Sequence, residues 1–346
     1  MTQKPSAPTL QDVADAAGVS TATVSRCLNA PEKVVQSTRD RVMAAVSALG
    51  YAPNFGARAM AARRTQTVGA VVPTLENAIF ARGLQAVQEE LSGLGYHLLV
   101  ASSSYRFEEE AAQVQALVAR GADGVLLIGQ DRAEETVTFL QQRGLPAVVA
   151  WTHVSDGPFP SVGFDNKQAM VKLVREVLAL GHKELAVITA YTAQNDRARA
   201  RLEGVREAVR DAGLDPEAVP IVETVYTIEA GAEAFEGLMA AKTRPTAVLC
   251  GNDVLAVGAI KRARQMGISV PEQVSITGFD DIEIAEVVDP ELTTVRVPHN
   301  VMGRLAAKAL VSLIENESPP VESQELRTFL QMRGSLAAPP DPSVSS

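Results

Sequence analysis

The sequence has few of the residues that build metal centres, disulfide frameworks or membrane spans. Its 346 residues include two cysteines and four histidines, and neither set has the spacing of a metal site. No apolar run approaches the ~18 residues that a membrane helix needs. The first ten residues have no apolar segment of the kind found in secretory signals. We therefore expect a reduced, cytoplasmic protein with no metal, no cofactor and no membrane contact.

Motifs that cradle phosphates or form a nucleophile elbow are also missing. The chain contains no G-x-G-x-x-G, G-x-x-x-x-G-K-[ST] or G-x-S-x-G string. A nucleotide-dependent enzyme is one interpretation of the alternating apolar and amphipathic pattern, but the missing motifs argue against it. We expect a protein that is not an enzyme, and an assay of turnover on candidate sugars separates the two interpretations.

Charge is distributed unevenly along the chain. The formal net charge is −9, with 46% hydrophobic and 21% charged residues, a composition that is ordinary for a folded protein. Residues 1–64 hold eight Lys/Arg and four Asp/Glu, a balance of +4, which leaves −13 for the remainder. A basic head on an acidic body indicates a protein that meets DNA phosphates with its head alone.

Residues 9–29, TLQDVADAAGVSTATVSRCLN, have the spacing of a helix-turn-helix. We expect Thr9 to cap a first helix, Gly18 to end it in a left-handed conformation, and Ser20 to cap a second helix. A third helix over 37–49 completes an all-α head. An ordinary helical hairpin with a solvated polar face fits the same pattern, but the basic charge and the N-terminal position favour DNA reading. The side chains expected to face outward on the second helix are Thr21, Ala22, Ser25 and Arg26.

Beyond residue 66 the pattern predicts an α/β core of two doubly wound parallel-sheet lobes, because four strand candidates precede residue 160 and four follow it. The predicted strands are residues 68–72, 96–101, 124–129, 146–151, 185–189, 219–225, 246–250 and 274–279. The helices expected between them include residues 166–180, 199–212 and 253–266. Segment 292–298 is expected to cross back between the lobes, and strand 325–333 to complete the sheets. The predicted boundaries are 1–54 for the head, 55–66 for a linker, 67–336 for the core and 337–346 for a disordered tail.

Several segments resemble the lac repressor family of bacterial regulators, in the same order along the chain. Residues 9–29 and 38–54 resemble its DNA-binding head. The segments that resemble its core are GHKELAVIT (181–189), RLEGV (201–205), NDVLAVGAI (252–260) and VPEQVSITGFDD (270–281). VGFDN (162–166) is similar to the sugar-acid branch, of which the gluconate repressor is an example. The resemblance implies an effector-binding core of the type I periplasmic-binding-protein kind.

The resemblance also implies roles in DNA binding. Base edges in the major groove would be contacted by Thr21, Ala22 and Arg26, with Arg26 on a guanine. Phosphates would be contacted mostly by Ser20, Thr23, Ser25, Asn29 and Thr38. Residues 55–64 would fold on DNA into a hinge helix, and a homodimer would place two such helices in the minor groove of a palindromic operator.

The linker departs from the family at one position. Met60 stands where the family usually has a leucine that wedges between base pairs, which leaves the preference for the central base step open. Arg58, Arg63 and Arg64 would contact phosphates or remain solvated. The place of Arg63 and Arg64 in the linker favours phosphates.

Residues directly after predicted strands mark a candidate effector cleft, because α/β proteins bind ligands at the carboxyl ends of their strands. These residues are Trp151, Asp165, Asn252 and Asp280. The only tryptophan of the chain suits stacking on a sugar ring. The resemblance implies that Arg201, Asn252 and Asp280 bind the effector.

Further pocket residues follow from the same resemblance, which implies a lining of Phe80, Asp165 and Tyr226. An arginine with an amide and a carboxylate suits a polyol, a sugar or a sugar acid. The nearby Asn195, Arg197 and Arg199 favour an anionic effector.

The same residues also have purely structural interpretations. Asn252 and Asp280 could cap helices, and Asp281 is better explained as a cap than as a ligand group. Arg201 could belong to a structural ion pair. The two aromatic residues that could belong to the hydrophobic core are Phe80 and Tyr226.

The sequence thus predicts a DNA-binding transcription regulator of the repressor kind. An effector would change operator affinity by favouring one arrangement of the lobes, and whether it induces or co-represses stays open. A dimer is expected rather than a tetramer, because the Pro/Ser-rich tail shows no tetramer-forming helix. The remaining alternative is an exported sugar-binding protein, against which the missing signal and the basic head argue.

Overall fold

The structure is a computed structural model that describes residues 8–52, 64–76 and 78–340. The chain divides into two compact units, a head of residues 1–65 and a two-lobed unit of residues 66–346. Within the described residues, no helix is both long and apolar enough to cross a membrane. The same part of the chain holds no group of three or more His, Cys, Asp or Glu side chains placed to bind a metal ion.

In its described residues the head contains the α-helices α1 (Leu10–Ala17), α2 (Thr21–Asn29) and α3 (Gln36–Leu49). The predicted caps are confirmed. The side chains of Thr9 and Ser20 accept hydrogen bonds from backbone N–H groups of the helices that follow them, and Gly18 ends α1 with a φ of 64°. These local signals explain why the head could be predicted from sequence alone.

A small apolar core holds the three helices of the head together. Val13, Ala14, Val24 and Val42 are fully buried, and Cys27 is buried beside them. Ala14 is small where α1 and α2 approach each other, as the helix-turn-helix spacing requires. The head therefore has a hydrophobic core of its own.

The N-lobe is built on a six-stranded sheet with all pairs parallel, in the order β11-β5-β4-β3-β1-β2. Its strands are β1 (Thr67–Val72), β2 (His97–Ser102), β3 (Gly124–Ile128), β4 (Ala147–Ala150), β5 (Ser161–Gly163) and β11 (Gln324–Glu325). Its helices are α4 (Ala78–Gly93), α5 (Phe107–Ala119), α6 (Glu134–Gln142) and α12 (His299–Glu315). Because β1 and β3 are buried on both faces, they appear in the sequence as continuous apolar runs.

The C-lobe is built on a four-stranded parallel sheet in the order β7-β6-β8-β9. Its strands are β6 (Leu185–Ala190), β7 (Ile221–Thr224), β8 (Ala247–Cys250) and β9 (Ser275–Thr277). Its helices are α7 (Asn166–Ala179), α8 (Asp196–Asp211), α9 (Ile228–Met239), α10 (Asp253–Gln265) and the short α11 (Ile284–Val287). The predicted α/β architecture of two parallel-sheet lobes is confirmed.

Three details differ from the sequence prediction. The single strand expected over 325–333 is two strands, because β11 joins the N-lobe sheet while β12 (Phe329–Gln331) pairs antiparallel with β10 (Thr294–Arg296). The helix expected from residue 199 begins at Asp196, since Asn195 supplies the cap. Ala337, which the sequence placed in a disordered tail, is bound to the C-lobe, because its N–H donates to Ser275 Oγ (3.1 Å) and its carbonyl lies 2.7 Å from His182 Nε2.

A buried carboxylate joins α10 to the segments that lead towards the N-lobe. Asp253 is fully buried, accepts a hydrogen bond from Thr294 Oγ1 on β10 (2.6 Å), and accepts another from the Ile282 N–H (2.8 Å). Burial raises the pKa of Asp253 from 3.8 to about 7, although both hydrogen bonds oppose that rise. The charged form of this side chain therefore costs folding free energy.

This cost predicts a pH dependence of stability that Asp253→Asn removes. The folded-state pKa exceeds the unfolded value, so protonation favours folding, and the contribution of Asp253 is lost as pH rises from about 4 to about 7. Relative to the variant, the wild type should lose on the order of 3 kcal/mol of unfolding free energy between pH 4 and pH 8. Urea unfolding at several pH values measures the difference. Parallel pH profiles for the two proteins would contradict the prediction, and Asp156→Asn on the surface serves as the control.

Candidate DNA-reading surface and effector cleft

The outer face of α2 is polar, and its inner face is apolar. Val24 and Cys27 are buried against the other helices of the head, whereas Ala22, Arg26 and Asn29 are exposed. Thr21, Thr23 and Ser25 are half-buried on the same helix. Of the four side chains predicted to face outward, Ala22 and Arg26 are exposed, whereas Thr21 and Ser25 are half-buried.

The hydroxyl groups predicted to contact phosphates already have partners in the head. Ser20 Oγ accepts the Thr23 N–H (3.2 Å) and lies 2.9 Å from Thr23 Oγ1. Asn29 Nδ2 donates to Ser25 Oγ at 3.2 Å. Thr38 is half-buried near the N-terminus of α3. These bonds hold the polar side chains of α2 in place, and their contact with phosphates stays a prediction.

The predicted linker, residues 55–66, is described only from residue 64 onwards. Arg58, Met60 and Arg63 lie outside the described residues. Arg64 is described and is exposed.

The second candidate site lies where the carboxyl ends of the strands of the two lobes meet. Asn252 follows β8 after one intervening glycine, Asp280 comes shortly after β9, and Trp151 directly follows β4. Trp151 and Asp280 have left-handed backbone conformations, with φ values of 64° and 107°. Such conformations are costly for residues other than glycine and are concentrated at functional sites.

Arg201 on α8 lies at the centre of this site. Its guanidinium donates to Asn166 Oδ1 (3.2 Å) and to the Tyr226 hydroxyl (2.9 Å), and it lies 4.7 Å from the centre of the Phe279 ring. Burial alone would lower the pKa of Arg201, but Tyr226 and Asp280 outweigh that effect and raise it. Arg201 is therefore a buried cation whose Nε has no hydrogen-bond partner in the structure.

Asp280 and Asn252 supply further hydrogen-bonding atoms without partners. Asp280 is 2% exposed and its Oδ2 is unpartnered. Burial raises the pKa of Asp280 well above its usual range, and Arg201 opposes that rise. Asn252 caps α10 by accepting the Leu255 N–H (2.9 Å), but its buried Nδ2 is left without a partner. The capping role is confirmed for the amide oxygen of Asn252, and the amide nitrogen is free to bind a ligand.

Trp151 packs into the N-lobe and is not open to the cleft. It is 3% exposed, and its ring lies 5.5 Å from Phe80 and 6.4 Å from His299 between ring centres. A Cβ atom at Gly83 would overlap the indole. The stacking on a sugar ring that the sequence suggested is corrected accordingly, because the indole is buried among residues of the N-lobe. Phe80 is likewise a core residue behind the site, and the Trp151 Nε1 is buried without a partner.

Two other predicted residues are helix caps. Asp165 is half-buried and accepts the Gln168 N–H at 2.9 Å, at the start of α7. Asn195 is 2% exposed and accepts the Ala198 N–H at 3.3 Å, at the start of α8. Both side chains thus fix helices whose first turns border the site.

The two additional arginines of α8 are neutralised by aspartates. Arg197 Nη1 lies 2.9 Å from Asp196 Oδ1, and both side chains are largely buried. Arg199 forms two hydrogen bonds with Asp131, at 2.7 and 2.8 Å. The expectation that these guanidinium groups favour an anionic effector therefore loses its basis, because each already faces a carboxylate.

Two residues of the site were not predicted. Asn166, the first residue of α7, accepts from Arg201 and donates from Nδ2 to the Trp151 carbonyl at 3.0 Å. Tyr105 follows β2, and its ring lies 6.3 Å from that of Tyr226 on the other lobe. Burial, together with Tyr226, raises the pKa of the Tyr105 hydroxyl. The rule that residues after strands line the cleft points to Tyr105 when it is applied to β2.

Comparison with known families matches both units. Residues 9–54 match the profile of "Bacterial regulatory proteins, lacI family", and residues 174–336 match that of "Periplasmic binding protein-like domain". The first range covers α1 to α3, and the second includes α8 and the strand ends that carry Asn252 and Asp280.

Two characterised proteins are similar over almost the whole chain. The HTH-type transcriptional repressor CytR of Escherichia coli is 33% identical over 335 residues, which are 96% of this chain and 98% of CytR. The HTH-type transcriptional regulator GntR of Escherichia coli is 31% identical over 329 residues, which are 95% of this chain and 98% of GntR.

Solved structures agree with this similarity. The lac repressor dimer bound to operator and the anti-inducer ONPF superposes with a TM-score of 0.86 at 25% identity, over 96% of this chain and 100% of that one. The complex of the transcriptional regulator CelR with cellobiose gives 0.69 at 30% identity, over 95% and 99%.

The relatives are regulators and not enzymes, and their similarity extends from the helix-turn-helix through both lobes. The chain therefore belongs to the lacI family of bacterial regulatory proteins, and it is a DNA-binding transcription regulator.

Proposed function

We propose that this regulator is a cytoplasmic repressor that binds a palindromic operator as a homodimer and whose operator affinity is controlled by a sugar-like effector in the cleft. The observation that carries the effector site is the group of buried, unpartnered polar atoms around Arg201. Unpartnered buried polar groups are costly, at about 1–3 kcal/mol each, and they are rare in folded proteins. A ligand that satisfies them gains this free energy on binding.

The chemistry of these atoms supports a polyhydroxylated effector. Arg201 Nε and Asn252 Nδ2 are donors, and Asp280 Oδ2 is an acceptor. A sugar hydroxyl both donates and accepts, so adjacent hydroxyl groups can satisfy a carboxylate and a guanidinium together. The complex of CelR with cellobiose shows that a related regulator binds a sugar. We propose Arg201, Asn252 and Asp280 as the direct ligands, with Tyr226 and Tyr105 beside them.

The proposed contacts with DNA rest on the exposed face of α2 and on the relatives. Arg26 is the basic residue on that face, and a guanidinium is suited to the edge of a guanine. The lac repressor was solved as a dimer bound to operator. We propose the same assembly for this chain, with residues 55–66 joining the head to the two-lobed unit and entering the minor groove.

Replacing Arg201 by alanine should abolish effector binding. The change removes a buried cation and the donors that face the ligand, so affinity should fall at least about 100-fold, or roughly 3 kcal/mol. Calorimetric titration with cellobiose, ribose and D-gluconate measures the loss against the wild type.

Operator binding by the effector-free Arg201→Ala variant should match that of the wild type, provided that its melting temperature shows a folded protein. Arg201→Lys should also fail, because lysine keeps the charge and loses the planar fork. A normal effector response in either variant would remove Arg201 from the site.

The pH dependence of binding should reveal whether the effector is neutral or acidic. A neutral sugar that donates to charged Asp280 lowers the pKa of Asp280. Such a sugar binds with full affinity above the raised pKa that Asp280 has in the free protein, and its affinity falls as pH decreases through that pKa. An acid needs Asp280 to keep its proton, so its affinity rises as pH decreases. We expect the first behaviour, because Asp196 and Asp131 already occupy Arg197 and Arg199.

Binding measured by titration from pH 5 to pH 9 distinguishes the two cases, and proton uptake in two buffers of different ionisation enthalpy checks the sign. Tighter binding at low pH would overturn the preference for a neutral ligand. Asp280→Asn should flatten the pH profile in either case.

Replacing Arg26 by alanine should weaken operator binding by about 1–3 kcal/mol and relax the preference at one base pair. Competition binding against operators with single base changes measures both effects. Arg41→Ala serves as the matched control, because it removes the same charge from an exposed position on α3. A base preference that is unchanged in Arg26→Ala would exclude Arg26 from base reading.

A further inference from the structure

A group of contacts that the effector site does not use joins the two lobes at the mouth of the cleft. One side is the loop of Gly129, Gln130 and Asp131, which follows β3 of the N-lobe. The other side is residues 194–199, which lead into α8 of the C-lobe and form its first turn. We call these two segments the lobe clamp.

Hydrogen bonds and ion pairs across the clamp involve both backbone and side chains. Asp196 Oδ2 accepts the Gln130 N–H at 2.8 Å. Arg199 forms its two-pronged pair with Asp131, whose side chain is 23% exposed, and also donates to the Thr192 carbonyl at 3.1 Å. A guanidinium that faces a carboxylate with two parallel bonds fixes orientation as well as distance. The first turn of α8 is therefore held against the N-lobe in one defined geometry.

Glycine is required where the two segments touch. Gly129 has a φ of 75°, and a Cβ atom there would overlap the Arg197 guanidinium and the Asp196 carboxylate. Any larger residue would have to displace these two side chains and would also be strained in this backbone conformation. A substitution at Gly129 therefore disturbs the clamp through Asp196 and Arg197.

A second bond continues the clamp along the same edge of the cleft. The Phe107 N–H at the start of α5 in the N-lobe donates to Gln194 Oε1 at 3.0 Å. Gln194 has a φ of 59° and directly precedes Asn195, the cap of α8. The clamp therefore connects two N-lobe segments to one helix, and that helix also carries Arg201.

We propose that the lobe clamp sets how long the effector stays bound. This inference rests on the proposed effector site. An effector enclosed between the lobes can leave only when they separate, and separation breaks the bonds between Asp131 and Arg199 and between Gln130 and Asp196. The clamp residues are positioning residues, because they act through the placement of α8 and the closure of the lobes.

The clamp affects the dissociation rate and the dissociation constant of the effector differently. A bond present only in the closed arrangement slows effector release whether or not the unliganded protein is also closed. The effect of such a bond on the dissociation constant depends on how often the unliganded protein is closed. The effect vanishes if the liganded and the unliganded protein are both mostly closed. The dissociation rate is therefore the direct readout of the clamp.

The test compares Asp131→Asn and Gly129→Ala with Asp211→Asn. Asp211 also lies on α8, and it pairs with Arg175 of α7 at 3.0 Å. Both partners belong to the C-lobe and are exposed. Stopped-flow displacement, followed by the fluorescence of the single tryptophan, gives the dissociation rate of the first sugar in the panel above that binds the wild type.

We expect the dissociation rate to rise about 5- to 50-fold in both clamp variants and to match the wild type in Asp211→Asn. Raising salt from 0.05 to 0.5 M should speed release from the wild type but not from Asp131→Asn, because the variant has no charge pair to screen. Unchanged release from both clamp variants would overturn the proposal, as would an equal rise in the control.

A failure of the effector proposal gives a different result. If no sugar of the panel binds the wild type, the clamp is tested without ligand by hydrogen exchange of the Gln130 amide, which donates to Asp196 across the lobes. Faster exchange in Asp131→Asn and Gly129→Ala than in Asp211→Asn supports the clamp. Equal exchange in all three variants refutes it.

Discussion

The two-lobed unit is organised around one buried cation. A guanidinium removed from water is costly unless its neighbours compensate it, and Arg201 is 7% exposed. Its compensation comes from the Tyr226 hydroxyl, the Asn166 amide, the Phe279 ring and the Asp280 carboxylate. These groups come from three different segments, so satisfying one charge fixes the ends of several elements at once. The atoms that remain unpartnered around it are the ones proposed above to bind the effector.

The helix that carries Arg201 also carries the contacts between the lobes. Asp196 and Arg199 lie in the first turn of α8, and Arg201 follows in the next turn. A helix moves nearly as a rigid body, so an effector bound to Arg201 and a loop bound to Asp196 constrain the same object. We therefore propose that occupancy of the site and closure of the cleft are coupled through α8.

The sequence was informative where the signals are local. Thr9 and Ser20 start head helices and Gly18 ends one, through hydrogen bonds to residues three or four positions away. The rule that ligands bind after the ends of strands pointed to Asn252 and Asp280. The sequence failed where a distant partner decides the outcome. The pairing of Arg199 with Asp131 joins residues 68 positions apart, and the packing of Trp151 depends on Gly83 of α4. The prediction of one strand over 325–333 was wrong because β11 joins the N-lobe sheet while β12 pairs with β10 in a separate two-stranded sheet.

The separation of the chain into two units constrains how the effector can act on DNA. The head has its own buried core of Val13, Ala14, Val24 and Val42, so the two-lobed unit is not needed to complete it. With −13 of formal charge beyond residue 64, the two-lobed unit repels phosphates and leaves DNA binding to the head. We therefore propose that an effector bound near Arg201 acts on DNA binding by changing, through closure of the lobes, where the two heads of a dimer are held relative to each other.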